Sequence, residues 1–324
     1  MKEIKIVGYS DMYLDACLEV ALKAETVYEA SNAQILGNDI HSVAMKFWKE
    51  DLDEAVRTAL SQQPCLVALA EDQVIGFTVY RFAGHIGVIA RYAVDPAEDI
   101  TVVGPMLFRA AFEKMKAEGV THVMANCGME AVHDNDRKAF EAVGFERYLP
   151  HVKYYQILGE APVLRETKLQ VVPCKPEYIP DCARIAVQVW EGIHAAYTEY
   201  QGEELHEAFS SGWRESKKED IYRQQSRPTS IVALLDGKVV GFCGYRVEHG
   251  NLGVIGYNGV DPEYRGNGIA RYLYEYCFAE MRKQGITHAR VFTGGDNGHA
   301  PARRAYEKAG YDKRLLSLTY YMAL

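Results

Sequence analysis

From Lys168 onward the apolar positions switch between a period of two and a period near that of a helix. Lys168–Pro173 alternates and predicts a strand. Tyr178–Glu191 predicts a helix, with Ile179, Cys182, Ile185, Ala186 and Val189 on one face. Glu203–Gln224 predicts further helix, broken around Ser210-Ser211-Gly212. Thr229–Leu235 and Lys238–Val247 flank Asp236-Gly237, a strong two-residue hairpin signal. His249-Gly250-Asn251 turns into another strand, Leu252–Val260. Arg271–Gln284 predicts a helix closed by Gly285, and Ala289–Thr293 a strand. Ala302–Ala309 predicts a helix ending at Gly310, and Leu316–Met322 a last strand. The order β-α-α-β-β-β-α-β-α-β puts a mixed sheet between helices, an α/β (α+β) architecture.

The first half repeats this pattern. Val94-Asp95-Pro96 and Val260-Asp261-Pro262 lie 166 positions apart. The same offset aligns Gly119-Val120-Thr121-His122 with Gly285-Ile286-Thr287-His288, Gly144-Phe145 with Gly310-Tyr311, and Tyr154-Tyr155 with Tyr320-Tyr321. Upstream the offset drops by one, and Gly76-Phe77 meets Gly241-Phe242. Matches across so many residue types mark a duplication. Two tandem domains are expected, 1–158 and 167–324, with a linker over 159–166. The linker has no Ser/Gly-rich tract, so the halves are expected to pack together.

Composition narrows the function. The chain has 324 residues, 48% hydrophobic and 25% charged, as in ordinary globular proteins. A formal net charge of −8 argues against a nucleic-acid binder and favours a cationic ligand only weakly. The seven cysteines are scattered without a C-x-x-C pair, so buried thiols are expected rather than disulfides. The histidines show no metal spacing, and no metal is expected. The N-terminus lacks the apolar core of a signal peptide, and no apolar run is long enough to span a membrane. The default location is cytoplasmic.

The most informative stretch is Arg265-Gly266-Asn267-Gly268-Ile269-Ala270, between the strand ending at Val260-Asp261-Pro262 and the helix from Arg271. A glycine-rich turn at a helix N-terminus exposes backbone N–H groups at the positive end of the helix dipole, which suits a phosphate. The matching stretch of the first half is Asp99-Ile100-Thr101-Val102-Val103-Gly104. Branched side chains replace both glycines there, and an acid replaces the arginine.

With His299-Ala300-Pro301-Ala302-Arg303-Arg304-Ala305-Tyr306-Glu307-Lys308-Ala309-Gly310-Tyr311, these motifs make the second half resemble the GNAT superfamily of acetyl-CoA-dependent N-acetyltransferases. Arg265, Gly268 and Ala270 fill that family's Arg/Gln-x-x-Gly-x-Gly/Ala pattern. The resemblance implies acetyl-CoA as cosubstrate, held by Arg265, Gly266, Asn267, Gly268, Ile269 and Ala270. It also implies that the strand near Gly259 and Val260 splays from its neighbour, and that its main chain binds the pantetheine arm. Gly259 would suit a bulge there. Tyr306 stands where the family carries the tyrosine that protonates the departing thiolate, whereas the first half has Phe140. His299 occupies the family's usual Asn position, where a cofactor contact and a helix-capping role are equally open. Asn297 is a second candidate for that contact. The first half then reads as a degenerate copy that packs as the partner subunit would in a GNAT dimer, an arrangement compatible with a monomer, and as a candidate wall of the substrate cleft.

The general base is missing from the expected strand, Gly253-Val254-Ile255-Gly256-Tyr257-Asn258. Deprotonation is expected through water, or from a loop over Trp190–Gly202 that holds Glu191, His194, Tyr197, Glu199 and Tyr200. Acids and aromatics there would suit a cation. The expected activity is acetyl transfer to a primary amine, small and cationic if the charge is a guide. A non-catalytic acyl-CoA sensor and transfer of another acyl group remain open.

Overall fold

The computed structural model describes residues 3–160, 168–248 and 251–324. The linker beyond Glu160, the strand start near Thr167 and the His249-Gly250 turn lie outside the described residues. In the first half the elements are β1 (Ile4–Gly8), α1 (Leu14–Leu36), α2 (Asn38–Ala44), α3 (Trp48–Gln62), β2 (Cys65–Ala70), β3 (Gln73–Ala83), β4 (Ile86–Val94), α4 (Ile100–Ala117), β5 (His122–Gly128), α5 (Asp134–Glu141) and β6 (Arg147–Ile157). The second half runs β7 (Gln170–Pro173), α6 (Ile179–Gln201), α7 (Glu203–Ser210), α8 (Trp213–Gln225), β8 (Ser230–Leu235), β9 (Lys238–Glu248), β10 (Leu252–Ile255), β11 (Gly259–Val260), α9 (Ile269–Lys283), β12 (His288–Gly294), α10 (Ala300–Lys308) and β13 (Lys313–Ala323).

The duplication is visible in this order, and so is the mixed sheet between helices. Two expectations need correction. Trp190–Gly202 is not a loop: α6 continues to Gln201, because Ile193 and Ala196 extend its buried stripe, and it stops only at Gly202. The strand expected over Leu252–Val260 is two pieces, β10 and β11, separated by three residues.

The strands form one sheet in the order β1-β2-β3-β4-β5-β13-β6-β12-β10-β9-β8-β7, with β11 on β9. The last strand of each half lies in the other half's sheet. β13 lies antiparallel between β5 and β6, and β6 between β13 and β12. The cores follow this exchange. Leu318 and Tyr320 of β13 pack with Phe108, Phe140 and Phe145, whereas Val152 and Tyr154 of β6 pack with Tyr306 and Tyr311. Matching hydrogen bonds cross the boundary, Tyr154 to Glu307 at 2.8 Å and Tyr320 to Glu141 at 3.4 Å. On each half one face of the sheet is covered by α4 or α9, and the other by α1 and α3 or α6 and α8.

The exchange ties the two cores into one cooperative body. Leu318→Ala removes a buried side chain and should cost about 2–5 kcal/mol. Hydrogen exchange should show faster opening of amides in both halves, although Leu318 packs only in the first-half core.

Candidate functional site

The site begins where β10 ends. β10 pairs in parallel with β12 as far as Ile255↔Val291 and antiparallel with β9 as far as Ile255↔Tyr245. Pairing with β9 resumes at Gly259↔Phe242, so the stretch between carries one residue more than its partner, a bulge. On the other side β12 is gone. Backbone groups that leave a sheet need new partners. The Gln224 side chain of α8 supplies them: its Nε2 donates to Tyr257 O and its Oε1 accepts from Tyr257 N–H, both at 2.7 Å. The bulge thus lies at Gly256–Asn258, ahead of Gly259. Gly259 answers crowding instead, since a Cβ there would stand 2.9 Å from the Phe242 ring. Val260 continues β11 on β9 and packs partly buried against the second-half core.

Asn258, fixed by this bulge, joins two tyrosines. Its Nδ2 donates to Tyr306 Oη at 2.9 Å, and its Oδ1 accepts from Tyr274 Oη at 2.6 Å. Tyr306 is buried, yet it is among the residues that line a cavity. Because its oxygen accepts from Asn258, its own proton remains available. Burial pushes the phenol up to about 12, against the opposing hydrogen bonds from Asn258 and Tyr274. It therefore stays protonated at neutral pH.

Past β11 the chain reaches the glycine turn. Buried Asp261 anchors it, accepting from Arg184 at 3.1 Å and from Glu263 N–H at 3.1 Å. Gly266 and Gly268 take φ of +84° and +73°, conformations that side chains disfavour, and open space surrounds both. Arg265, Asn267 and both glycines are exposed, while Ile269 is buried and Ala270 partly so. The first intrahelical bond of α9 is Tyr272 N–H to Gly268 O. The N–H groups from Gly266 to Arg271 have no acceptor among the described residues. These free donors at a helix N-terminus fit an anion such as pyrophosphate.

The remaining candidates separate. His299 lines the cavity with Tyr306. It does not cap the helix that follows. Instead Asp296, fully buried, accepts from its backbone N–H at 3.2 Å and holds its Nδ1 at 2.6 Å. Asn297 is exposed and lies off the cavity. Of the Trp190–Gly202 groups, Trp190, Ile193 and Tyr197 reach the cavity at one helical face. Glu191 is engaged by Arg214, and His194 stacks on Trp213 while bonding His206. Glu199 is exposed, and Tyr200 packs near Leu149 and Tyr321. Tyr257 bonds Asp220 at 3.1 Å. Asn258, Tyr274, Gln224 and Asp296 had no assigned role in the sequence. The paired changes between halves, Asn258 for Tyr92 and Tyr274 for Phe108, were the signal that pointed to two of them.

The cavity measures about 620 Å³. Its charge opposes the expectation of a cationic ligand. Among the described residues, Lys153, Lys217, Arg223, Arg227, Arg246 and Arg290 line it, against one carboxylate, Asp220. His151 also lines it; burial lowers its pKa to about 4, so it is neutral at pH 7. His151 and Lys153 belong to β6, so the first half does wall the cavity through its exchanged strand.

The first half answers each feature with a closure. Asp99 caps its own helix, its side chain accepting from Thr101 N–H at 2.9 Å and its carbonyl from Val102 and Val103 N–H, so donors whose counterparts α9 leaves free are engaged in α4. In place of the Tyr274–Asn258–Tyr306 network, Phe108 and Phe140 stack at 4.7 Å and Tyr92 packs edge-on against both.

The fold and this site define an acetyltransferase architecture, repeated twice. The profile of the Acetyltransferase (GNAT) family matches residues 36–145 and 193–311, and the chain belongs to that family. Among curated proteins, a mycothiol acetyltransferase of Thermomonospora curvata is 27% identical over 107 residues, 32% of this chain and 35% of that relative. The match thus spans about a third of that protein. A GCN5-related N-acetyltransferase from Sphaerobacter thermophilus aligns over 99% of this chain and 95% of its own, at TM-score 0.61 and 15% identity. A tandem GNAT protein from the clavulanic acid biosynthesis pathway aligns over 99% and 98%, at TM-score 0.57 and 14% identity. These two share the fold. No helix among the described residues is long and apolar enough to cross a membrane.

Lys217 gives a test of the cavity's electrostatics. Its ammonium lies 4.5 Å from the Trp190 ring centroid and 4.0 Å from that of Tyr257. Burial brings its pKa down to about 8, and Asp220 opposes the shift. Lys217 is therefore charged below pH 8 and neutral above it. Carbon NMR of lysine-labelled protein should show one Cε resonance titrating near pH 8. A Lys217 midpoint above pH 10 would contradict the cavity as described.

Proposed function

We propose that this protein is an N-acetyltransferase that moves an acetyl group from acetyl-CoA directly to a primary amine. The observation that carries this reading is the junction of the Asn258–Tyr306–Tyr274 network with the open glycine turn, on the two sides of one strand break. Acetyl-CoA, when bound, supplies an activated thioester. The N–H groups of Gly266 to Ala270 hold the pyrophosphate, with Arg265 as an added charge. The unpaired edge of β11 at Gly259 and Val260 receives the pantetheine amides as a further strand would. Asn297, exposed ahead of α10, is available to the cofactor.

The amine nitrogen bonds to the acetyl carbon, the carbon–sulfur bond breaks, and the amine loses a proton. Tyr306 gives its hydroxyl proton to the leaving sulfur. His299 takes the proton from the amine. Its Nδ1–H is held by Asp296, which leaves Nε2 as the accepting nitrogen. No covalent enzyme intermediate is needed. The first half contributes the β6 wall and binds no cofactor.

Tyr306→Phe should lower kcat at least about 100-fold and leave CoA affinity nearly unchanged, as steady-state kinetics and calorimetry would show. A comparable kcat would remove Tyr306 from the mechanism. Calorimetry should also find one CoA site per chain, and two equivalent sites would refute the closed first half.

His299→Asn, which restores the family's usual residue, should cost about tenfold or more in kcat/KM near neutral pH. An unchanged kcat/KM would exclude His299 as base. Free-thiol release from acetyl-CoA across a panel of amines tests the whole reading. CoA binding without turnover on any amine would convert it to an acyl-CoA sensor.

A further inference from the structure

We infer that the acceptor is a small amine that also carries an anionic group, a carboxylate or a phosphate ester. This rests on the acetyltransferase reading and assigns the substrate class of the same cavity.

The argument starts from where the cations sit. The chain is acidic overall, at −8, yet among the described residues this cavity gathers six basic side chains and one carboxylate. They come from β6, α8 and the turn after it, β9 and β12, so no single amphipathic face explains them. Part of the charge is internally balanced. Glu248 bridges Arg246 and Arg290 at 2.7 Å each, and Asp220 pairs with Arg223 and stands 4.0 Å from Lys217. Lys153 and Arg227 have no ion-pair partner among the described residues. Cations that share a cleft repel one another and lose hydration, an arrangement that a bound anion relieves.

Geometry places the two ends of such a ligand. Asn258 and Tyr306 mark the reacting end, where the acetyl group must arrive. Lys153 stands across from Phe292 on neighbouring strands, and Arg290 follows two residues earlier on that face of β12. The aromatic rings of Trp190, Tyr197 and Phe292 lie among these groups and suit an apolar ligand body.

The same charge explains the absent strand carboxylate. A purely cationic acceptor would be repelled. An acceptor anchored by its anion would have its ammonium held among like charges, which favours the neutral amine that attacks. Binding and amine activation then come from one arrangement.

The experiment compares acceptors that differ only in the anion: leucine with leucinamide, phenylalanine with phenylalaninamide, and phosphoethanolamine with ethanolamine. Calorimetry measures binding and free-thiol release measures turnover. The charged member of at least one pair should be preferred about tenfold or more in both assays. The amino-acid and phosphoethanolamine pairs separate carboxylate from phosphate. Lys153→Gln and Arg227→Gln, each on an exposed side chain, should reduce that preference about tenfold. Equal or better use of the neutral amines overturns the inference while leaving the acetyltransferase reading intact. Charge-selective binding without turnover on any amine upholds the anion site and overturns the activity. A preference that survives both variants removes Lys153 and Arg227 as the anchors, and with them the inference.

Discussion

The site depends on one side-chain amide. Where β10 leaves β12, the main chain of Tyr257 loses its sheet partners, and buried backbone groups without partners cost on the order of 1–3 kcal/mol each. Gln224 meets both needs with one planar group, at 2.7 Å on each side. That clamp fixes the next residue, Asn258, which in turn orients Tyr306 and Tyr274. The same face of α8 supplies more. Lys217, Asp220 and Gln224 recur at helical spacing, so the face that holds the break also lays charge along the cavity. The first half has Ala59 at the position of Gln224; there β4 also leaves β5 after Ile89 and carries a bulge at Ala90, but it keeps its pairing with β3 through Val94 without a side-chain clamp.

The strand exchange gives the second half a complete sheet. Without β6, β12 would present an open edge beside the cavity. With it, His151 and Lys153 of β6 line the cavity. A half that lacks the glycine turn is therefore held in place by physics. Its β6 seals the second core, and β13 seals the first.

Much of this was legible in the sequence, because periodicity and turn chemistry are local. Asp236-Gly237 gave the hairpin, and both residues do adopt positive φ. The glycine turn and Tyr306 were legible as a motif. What failed was non-local. The strand exchange leaves no mark on either strand, since β6 and β13 present the same alternation whichever neighbour they meet. The helix through Trp190–Gly202 was misread because its inward stripe mixes Ile193 and Ala196 with Tyr197 and Tyr200. The basic cavity was invisible because its six cations are spread from Lys153 to Arg290 in an acidic chain.

The contrast between the halves is one of stability against function. An acid cap such as Asp99 is worth about 1 kcal/mol, and an aromatic cluster such as Tyr92, Phe108 and Phe140 adds packing that a polar network forgoes. A chain free to optimise its fold would close both second-half openings in the same way. It has not. The donors of Gly266 to Arg271 remain free, and a polar Asn258 still stands between two buried tyrosines. Features that a sequence keeps against its own stability are where ligands act. The first half shows the same fold with an acid-capped turn and an aromatic cluster at those places, so the contrast between the halves singles out Asn258, Tyr274 and the turn at Gly266 to Gly268.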